Sequence, residues 1–411
     1  MKLRATALLA AGLAVGGVWA GEGNYRDYIV GERAAGMGGA ALGLATSVES
    51  CFFNPGGLPY TDSSTVSLSA SLYGFADYTV DDGWGPGKNI DVDSFLVVPT
   101  TFGSVWKLNR DWAFALSAFV PDMARSNDLE AYVNQYDYFK YNKDDQSLWL
   151  GPSAGVRIDD RFSVGISVFG VYRTYSWFRD IIRAATYTWS EDIKYNDLSI
   201  LALLGARYQL SPNWILGVTF QAPSVHLTGS GEYLIKYSYG DGNLVNYVDD
   251  VDTENTIPAQ IAAGIAYEER GRFALALDVI YHFSADFNRV EGEDQFGLTW
   301  AYPMKYDAVV DFSLGGEYYI KDRYPIRAGF FTSLSASPDA DPQTSYYPAH
   351  INKYGLTLSI GRETQNTTMN IGLNYSWGSG EYIGWNDDWT LEKVDASESF
   401  LYLFLGSSYL F

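Results

Sequence analysis

The sequence predicts an all-β fold, a 14-stranded antiparallel transmembrane β-barrel with a small helical hatch (plug) at its N-terminal end. Three observations support this prediction. The chain is rich in aromatic residues and glycine, with 32 Tyr, 22 Phe, 12 Trp and 41 Gly. Short segments alternate between apolar and polar residues, as strands do when one face meets lipid and the other a lumen. The connections between them are alternately short and long, as in barrels with short periplasmic turns and long outer loops.

Residues 1–20 are typical of a secretory signal peptide. Lys2 and Arg4 precede an apolar run over residues 5–19, and Ala20 is small enough for cleavage. A membrane anchor is less well supported, because a spanning helix needs about 20 apolar residues. We therefore expect the mature chain to begin at Gly21 and to be exported to the bacterial outer membrane.

Residues 21–64 contain no alternating segment and are predicted to form the hatch. They include the Gly/Ala-rich stretch GERAAGMGGAALGLA, which has a short helical pattern, and then SVESCFFNPGGLPYTD. Eight strands enclose a lumen that side chains can fill, whereas sixteen or more leave an aqueous channel. Since fourteen strands are intermediate, we infer that residues 21–64 close the lumen of a barrel formed by residues 65–411.

The strands are predicted from their period of two, which is clearest in residues 368–377, TMNIGLNYSW. The fourteen predicted strands are 65–77, 92–108, 111–120, 146–158, 161–175, 193–209, 213–228, 254–268, 271–284, 303–320, 324–334, 350–363, 366–378 and 399–411. Short turns are predicted at 109–110, 159–160, 211–212, 269–270, 321–323 and 364–365. Long loops are predicted at 78–91, 121–145, 176–192, 229–253, 285–302, 335–349 and 379–398.

Charge is concentrated in the predicted long loops. They hold 29 acidic and 9 basic residues, a net of −20, in a chain whose net charge is −21. This distribution keeps charge out of the lipid, and an acidic outer surface excludes nucleic acid as a partner. The acidic residues could bind divalent cations that bridge lipopolysaccharide, or they could simply keep the loops soluble.

The chain ends in Phe411, on an alternating strand. A terminal aromatic residue resembles the signal that the barrel-assembly machinery reads in outer-membrane proteins. We therefore expect contacts with that machinery, with outer-membrane lipid and with lipopolysaccharide, and a monomer whose lumen is filled by its own hatch.

The hatch segment resembles that of a known family. Gly31-Glu-Arg-Ala-Ala-Gly36-Met-Gly38-Gly39-Ala-Ala, followed by Asn54-Pro55-Gly56-Gly57-Leu58, is similar to the N-terminal hatch of the FadL-type long-chain fatty acid transporters, which include toluene-uptake channels. This chain has Gly56 where the family usually has alanine. The resemblance implies passive uptake of fatty acids, aromatic hydrocarbons or other hydrophobic compounds, with sideways release through the wall. The residues expected to form the hatch and its ligand contacts are Gly36, Gly38, Gly39, Phe52, Phe53, Asn54, Pro55 and Gly56.

The hatch glycines have two other interpretations. A dinucleotide-binding glycine loop needs a preceding strand, and here a signal peptide and a polar stretch precede it. The glycines could also serve only to pack short helices tightly, which is compatible with a hatch.

Two features of the sequence concern the transported compound and its exit from the barrel. Segments such as 95–98 and 200–204 are apolar on both faces, so apolar side chains point into the lumen, either toward a hydrophobic ligand or toward the hatch. Pro99 lies within a predicted strand, where it cannot donate to the ladder. It predicts either a local break in the wall that could be a lateral exit or simply a strand boundary.

Enzyme chemistry is not supported. The three histidines, His226, His282 and His350, are scattered, and neither a metal-ligand spacing nor a nucleophile elbow is present. We therefore expect no catalytic activity, no cofactor and no metal. The alternative to transport is a barrel of the same build that acts as a docking or shuttle protein in secretion, or as a structural protein.

Overall fold

The computed structural model describes residues 23–26, 28–134, 137–183, 187–239, 242–294, 297, 299–344, 347–386 and 390–411. The predicted signal peptide, residues 1–20, lies outside this part of the chain. None of the helices found in these ranges has the length and apolar character required to cross a membrane.

In the ranges that the structure describes, helical structure is confined to short pieces. The hatch segment contains α1 (Arg33–Gly36), α2 (Ser50–Phe53) and a 3-10 helix (Pro55–Tyr60), and an outer loop contains a single 3-10 turn (Pro342–Thr344). The strands are β1 (Thr65–Val80), β2 (Ile90–Lys107), β3 (Trp112–Phe119), β4 (Met123–Asn134), β5 (Asp137–Arg157), β6 (Phe162–Arg183), β7 (Tyr187–Gln209), β8 (Trp214–Gln221), β9 (Val225–Tyr239), β10 (Gly242–Thr253), β11 (Gln260–Glu269), β12 (Phe273–His282), β13 (Ala285–Glu293), β14 (Thr299–Tyr306), β15 (Val309–Ile320), β16 (Tyr324–Ser333), β17 (His350–Glu363), β18 (Thr367–Trp385) and β19 (Leu391–Leu410).

These strands form one closed antiparallel barrel of fourteen crossings. Five crossings consist of two strands each, namely β3–β4, β8–β9, β10–β11, β12–β13 and β14–β15. The breaks in the first three contain Pro121, Pro223 and Pro258, which is expected because proline has no N–H to give to a ladder. The barrel closes where β1 pairs with β19, from Thr65 with Leu410 to Val80 with Ala396. The predicted 14-stranded barrel is confirmed.

The six short turns lie where they were predicted, but several predicted long loops are wrong. Most of 121–145, 176–192, 229–253, 285–302 and 379–398 belongs to strands that continue past the apolar zone. The β6–β7 ladder, for example, runs without interruption from Phe162 paired with Tyr208 to Arg183 paired with Tyr187. Outside the bilayer an outward face need not be apolar, so the alternation that marks a strand in the sequence disappears there.

The outer face of the barrel carries the apolar half of each alternating strand. On β18, Met369, Ile371 and Leu373 are exposed to the membrane, whereas Asn370 and Asn374 are buried in the lumen. This orientation agrees with the alternation in the sequence, since a lipid-facing polar residue would cost free energy that a lumen-facing one does not.

Residues 23–26 and 28–64 lie inside the barrel, and the wall approaches this segment through inward-facing glycines. Seven such residues, which we call the glycine belt, are Gly155, Gly165, Gly205, Gly217, Gly264, Gly315 and Gly329. Several are directly paired across neighbouring strands: Gly155 with Gly165, Gly165 with Gly205, Gly217 with Gly264, and Gly315 with Gly329.

Each glycine of the belt faces hatch atoms that leave no room for a side chain. A Cβ on Gly165 would overlap the carbonyl group of Pro55, and one on Gly329 would overlap Met37 and Gly38. The hatch therefore packs against the backbone of the wall, and the belt sets how closely it can approach.

Candidate functional site

Buried polar contacts join separate parts of the hatch to each other. The carboxylate of Glu49 accepts hydrogen bonds from the backbone N–H groups of Glu32, Arg33 and Ala34, at 3.1, 3.2 and 3.1 Å. These donors open α1 and would otherwise have no partner within the helix. Burial raises the pKa of Glu49, while the N–H groups and neighbouring arginines act to lower it.

Arg33 joins the hatch to three strands of the wall. Its guanidinium lies 2.6 Å from Glu317 and 2.9 Å from Glu268. Glu317 also binds Arg327 at 2.5 Å. Burial lowers the pKa of Arg33, but Glu317 and Glu268 raise it further, so the pKa stays above its usual value. The network ties α1 to β11, β15 and β16.

Two of the predicted hatch glycines, Gly36 and Gly38, contact the wall, and Gly39 packs within the hatch. The Gly36 carbonyl accepts a hydrogen bond from Thr357 at 2.9 Å. Gly38 and Gly39 have positive φ angles of 63° and 77°, a conformation that a residue with a side chain rarely adopts. Gly38 packs against Phe330 and Gly39 against Arg26.

Asn54, Pro55 and Gly56 also form a contact between hatch and wall. The Asn54 amide donates to the carbonyls of Leu42 at 2.8 Å and Ala206 at 3.0 Å, and its oxygen accepts from the N–H of Gly56 at 3.0 Å. Pro55 lies against the glycine belt. The structure thus places five of the eight predicted residues at contacts with the wall and Gly39 at a contact within the hatch.

The other two predicted residues, Phe52 and Phe53, line a cavity of about 130 Å³ between the hatch and the wall. The hatch contributes Asn24, Tyr25, Arg26, Leu42, Phe52 and Phe53 to its lining. The wall contributes, among others, Pro121, Asp122, Trp149, Arg173, Ile280 and His282.

One side of this cavity is aromatic. The ring of Phe52 lies 5.4 Å from Phe119 and 5.5 Å from Trp149, measured between centroids, and Trp149 lies 6.0 Å from Phe169. Such a wall suits an apolar or aromatic group, which gains contact area and offset ring contacts without needing a hydrogen-bond partner.

The opposite side is polar. Arg26 donates to the carbonyls of Gly38 at 3.2 Å and Phe312 at 3.4 Å. Burial lowers its pKa, and the nearby carboxylates of Asp311 and Asp278 partly oppose this. The ring of Tyr25 stacks on His282 with centroids 4.3 Å apart.

The wall is irregular near the cavity at Pro99. Pro99 pairs with Ala70 of β1, and the β1–β2 ladder shifts register on both sides of this pair. The β2–β3 ladder covers only Thr101–Lys107 of β2, and β4 pairs with β5. Within the described residues, residues 90–100 of β2 therefore have no ladder on the side of β4. Pro121, which separates β3 from β4, lines the cavity.

The sequence did not single out Tyr25, Arg26, Trp149 or Arg173 as cavity residues. They come from distant parts of the chain and share no motif. Pro121 carried a usable signal, because a proline between two alternating segments predicts a break in the ladder.

Two larger hollows, of about 610 Å³ each, lie on the outer face of the barrel. They are lined by residues such as Val164, Leu204 and Phe220, and Leu68 and Ile360. Since these side chains face the membrane, the hollows belong to the lipid-facing surface.

Comparisons with known proteins agree with this geometry. Residues 19–397 match the sequence model of the outer membrane protein transport family (OMPP1/FadL/TodX). A comparison with curated protein sequences gives no match.

The solved structures that are similar to this chain share its fold at low sequence identity. The toluene transporter TodX of Pseudomonas putida is 16% identical, with a TM-score of 0.71, over 94% of this chain and 100% of that one. A FadL homologue of Pseudomonas aeruginosa is 16% identical, with a TM-score of 0.68, over 95% and 100%. The monoaromatic hydrocarbon channel CymD is 16% identical, with a TM-score of 0.63, over 93% and 97%.

Proposed function

The chain belongs to the OMPP1/FadL/TodX family of outer membrane transport proteins, and on this premise we propose that it is a passive uptake channel for small hydrophobic compounds. The observation that carries the proposal is the aromatic-walled cavity, which is lined by Pro121 at the start of the stretch where β2 and β4 share no ladder in the described residues. A cavity of this kind offers an apolar compound both a binding site and a route into the membrane.

The cavity favours a compound about the size of one aromatic ring. An engineered protein cavity of about 150 Å³ binds benzene, and this one measures about 130 Å³. A long-chain fatty acid could place only a short part of its chain here. Fatty acid uptake, which the hatch motif predicted, therefore stays a prediction, and we favour monoaromatic compounds.

The expected affinity suits a passive channel. A ring the size of the phenylalanine side chain buries roughly 150–200 Å², which contributes about 4–5 kcal/mol at about 25 cal/mol per Å². The loss of translational freedom reduces this gain. A dissociation constant on the order of 1 mM or weaker follows, and a bound compound can then leave quickly, as conduction requires.

We propose that the compound leaves sideways, between β2 and β4. The hatch closes the direct path, since it is seated on the glycine belt and tied by Arg33 to the wall. Moving an apolar compound from the cavity into lipid costs little, whereas moving it into water would forfeit the hydrophobic free energy. Two observations support this route: β2 and β4 share no ladder among the residues that the structure describes, and Pro121 lies at the cavity.

The location and further partners follow from the family and from the lipid face. We propose that the barrel lies in the bacterial outer membrane as a monomer, in contact with lipid and lipopolysaccharide. Phe411 is exposed at the end of the chain, where the barrel-assembly machinery could reach it.

The test is to fill the cavity. Ile280 lines it and is buried, so Ile280→Trp should place a bulky ring in the space that a compound would occupy. We expect uptake of labelled toluene, by a bacterial host that lacks other channels of this family, to fall at least tenfold. Ile360→Trp is the matched control, since Ile360 lies on a strand but faces lipid.

The folded amount of each variant would be checked by its resistance to unfolding in detergent. If Ile280→Trp folds and transports toluene as well as the wild type, the cavity is not on the route. If the wild type itself adds nothing to uptake, the secretion-docking or structural alternative replaces transport.

A further inference from the structure

The charges around the cavity disfavour an anionic ligand. Arg173 is held by Asp145 through two hydrogen bonds, at 2.7 and 2.6 Å. Asp122 lines the cavity directly. The guanidinium of Arg173 is therefore already matched by carboxylates, and a carboxylate on a ligand would find no unmatched cation in it.

The guanidinium of Arg26 also has partners already. Arg26 donates to two backbone carbonyls and has the carboxylates of Asp278 and Asp311 nearby. His282 has its Nε2 atom 3.6 Å from Asp311, so a charge on that ring would also face a carboxylate already present. Bringing a further anion into this low-dielectric space would carry a large desolvation cost.

Three buried polar atoms of the cavity lining have no hydrogen bond in the described part of the chain: His282 Nε2, which lies 3.6 Å from a carboxylate oxygen of Asp311, and two atoms of the hatch, in Asn24 and Tyr25. The Asn24 amide nitrogen donates to the carbonyls of Ser333 at 2.7 Å and Ile351 at 3.1 Å, which fixes the other atom of the amide as the oxygen. That oxygen and the hydroxyl of Tyr25 are buried without a hydrogen bond in the described part of the chain. Burial raises the pKa of the Tyr25 hydroxyl, so it remains protonated and neutral. Buried polar atoms are normally satisfied, and an unsatisfied pair at a cavity marks where a ligand's polar group can bind.

We propose that the cavity selects phenolic compounds, meaning a single aromatic ring with a neutral hydroxyl, over the hydrocarbon and the carboxylate of the same shape. The ring lies against the wall formed by Phe52 and Trp149, and the hydroxyl meets Asn24 and Tyr25. This inference rests on the proposed function and adds the chemical class of the preferred cargo.

The experiment compares three ligands that differ in one substituent: toluene, p-cresol and p-toluate. Their binding to the full chain in lipid nanodiscs is measured by calorimetry, and empty nanodiscs correct for partition into lipid. One net hydrogen bond should make p-cresol bind roughly fivefold to tenfold more tightly than toluene. The p-toluate anion should bind at least tenfold more weakly than p-cresol.

Tyr25→Phe isolates the hydroxyl. The variant keeps the ring that stacks on His282 and removes an atom with no hydrogen bond to lose, so its fold should be preserved. We expect it to weaken p-cresol binding by roughly fivefold, so that the p-cresol affinity approaches the toluene affinity of the same variant. Tyr354→Phe, at an exposed tyrosine on the lipid face, should change neither.

The outcomes separate this inference from the proposed function. Equal binding of toluene and p-cresol, tight binding of p-toluate, or full p-cresol affinity in Tyr25→Phe would overturn the phenolic preference and leave hydrophobic transport standing. Absence of saturable binding for all three ligands would overturn both.

Discussion

Replacing Gly165 with valine should unseat the hatch. Gly165 is at the centre of the glycine belt, paired with Gly155 on one side and Gly205 on the other. A Cβ at this position would overlap the carbonyl carbon and oxygen of Pro55. Those are backbone atoms, so no side chain can rotate away to make room.

The free-energy cost of Gly165→Val depends on whether the wall and hatch strain or the hatch moves. If the wall and hatch both strain to hold the larger residue, overpacking costs about 1–3 kcal/mol. If the hatch moves instead, it loses the hydrogen bond of the Asn54 amide to Ala206 and the bond from Ser163 to the Gly56 carbonyl, whereas the bond from Asn54 to Leu42 lies within the hatch. At about 1 kcal/mol for each buried bond, the cost is about 2 kcal/mol. The ratio of seated to displaced hatch then falls by roughly thirtyfold.

The assay is ion conductance across a planar lipid bilayer. With the hatch seated we expect little current, because the described hatch residues, 23–26 and 28–64, occupy the lumen. A displaced hatch opens a fourteen-stranded lumen, so Gly165→Val should produce frequent openings. Gly170→Val on the same strand is the control, since a Cβ at Gly170 would meet only the Leu150 carbonyl, at 3.8 Å. Equal conductance from both variants and the wild type would refute the role of the belt.

Two further predictions concern buried charge. Glu317→Gln leaves Arg33 and Arg327 without their shared carboxylate, so it should lower the free energy of unfolding by about 3–5 kcal/mol. The control is Asp160→Asn, which removes an exposed ion pair and should lower it by less than about 1 kcal/mol. Urea titration of both variants would measure this, and equal losses would contradict it. Because burial raises the pKa of Glu49 above its usual 4.5, the folded state holds this proton more tightly than the unfolded state, and stability gained on protonation is lost as the pH rises through the folded pKa. The wild type should therefore gain stability relative to Glu49→Gln as the pH is lowered from neutral toward 4.5, and a pH-independent difference would contradict the raised pKa of Glu49.

Two kinds of interaction hold the hatch against the wall, and they act differently. The glycine belt fixes how closely the hatch can approach, whereas the Arg33 network fixes its rotation through directed contacts to β11, β15 and β16. Buried ion pairs add little net stability because of desolvation, but breaking one leaves an uncompensated charge. The network therefore penalises displaced positions of the hatch more than it stabilises the seated one.

Much of the fold could be read from the sequence because a bilayer imposes a local rule. Each crossing must present apolar residues outward at every second position, and this pattern, with the short turns between crossings, indicated the number and order of the strands. The rule ends at the membrane surface. The outer extensions of strands such as β6 and β7 carry polar residues on both faces, so they were predicted as loops.

The candidate site was only partly predictable. The hatch motif pointed to eight residues. The structure places Phe52 and Phe53 at the cavity, Gly39 against Arg26 within the hatch, and the remaining five at the wall. Glycine and proline mark positions where backbone comes close to backbone, and the sequence alone does not tell whether the neighbour is a ligand or another strand.

The sequence by itself determined the β-barrel, the order of its strands and the presence of an N-terminal segment that cannot be a strand, because alternation and turn residues act over a few neighbouring positions. Only the tertiary structure decided which side chains meet in the lumen. Tyr25 stacks on His282, and Arg33 binds Glu317, across more than two hundred residues of chain. Such contacts depend on the closure of the whole barrel around the hatch, and no local pattern encodes them.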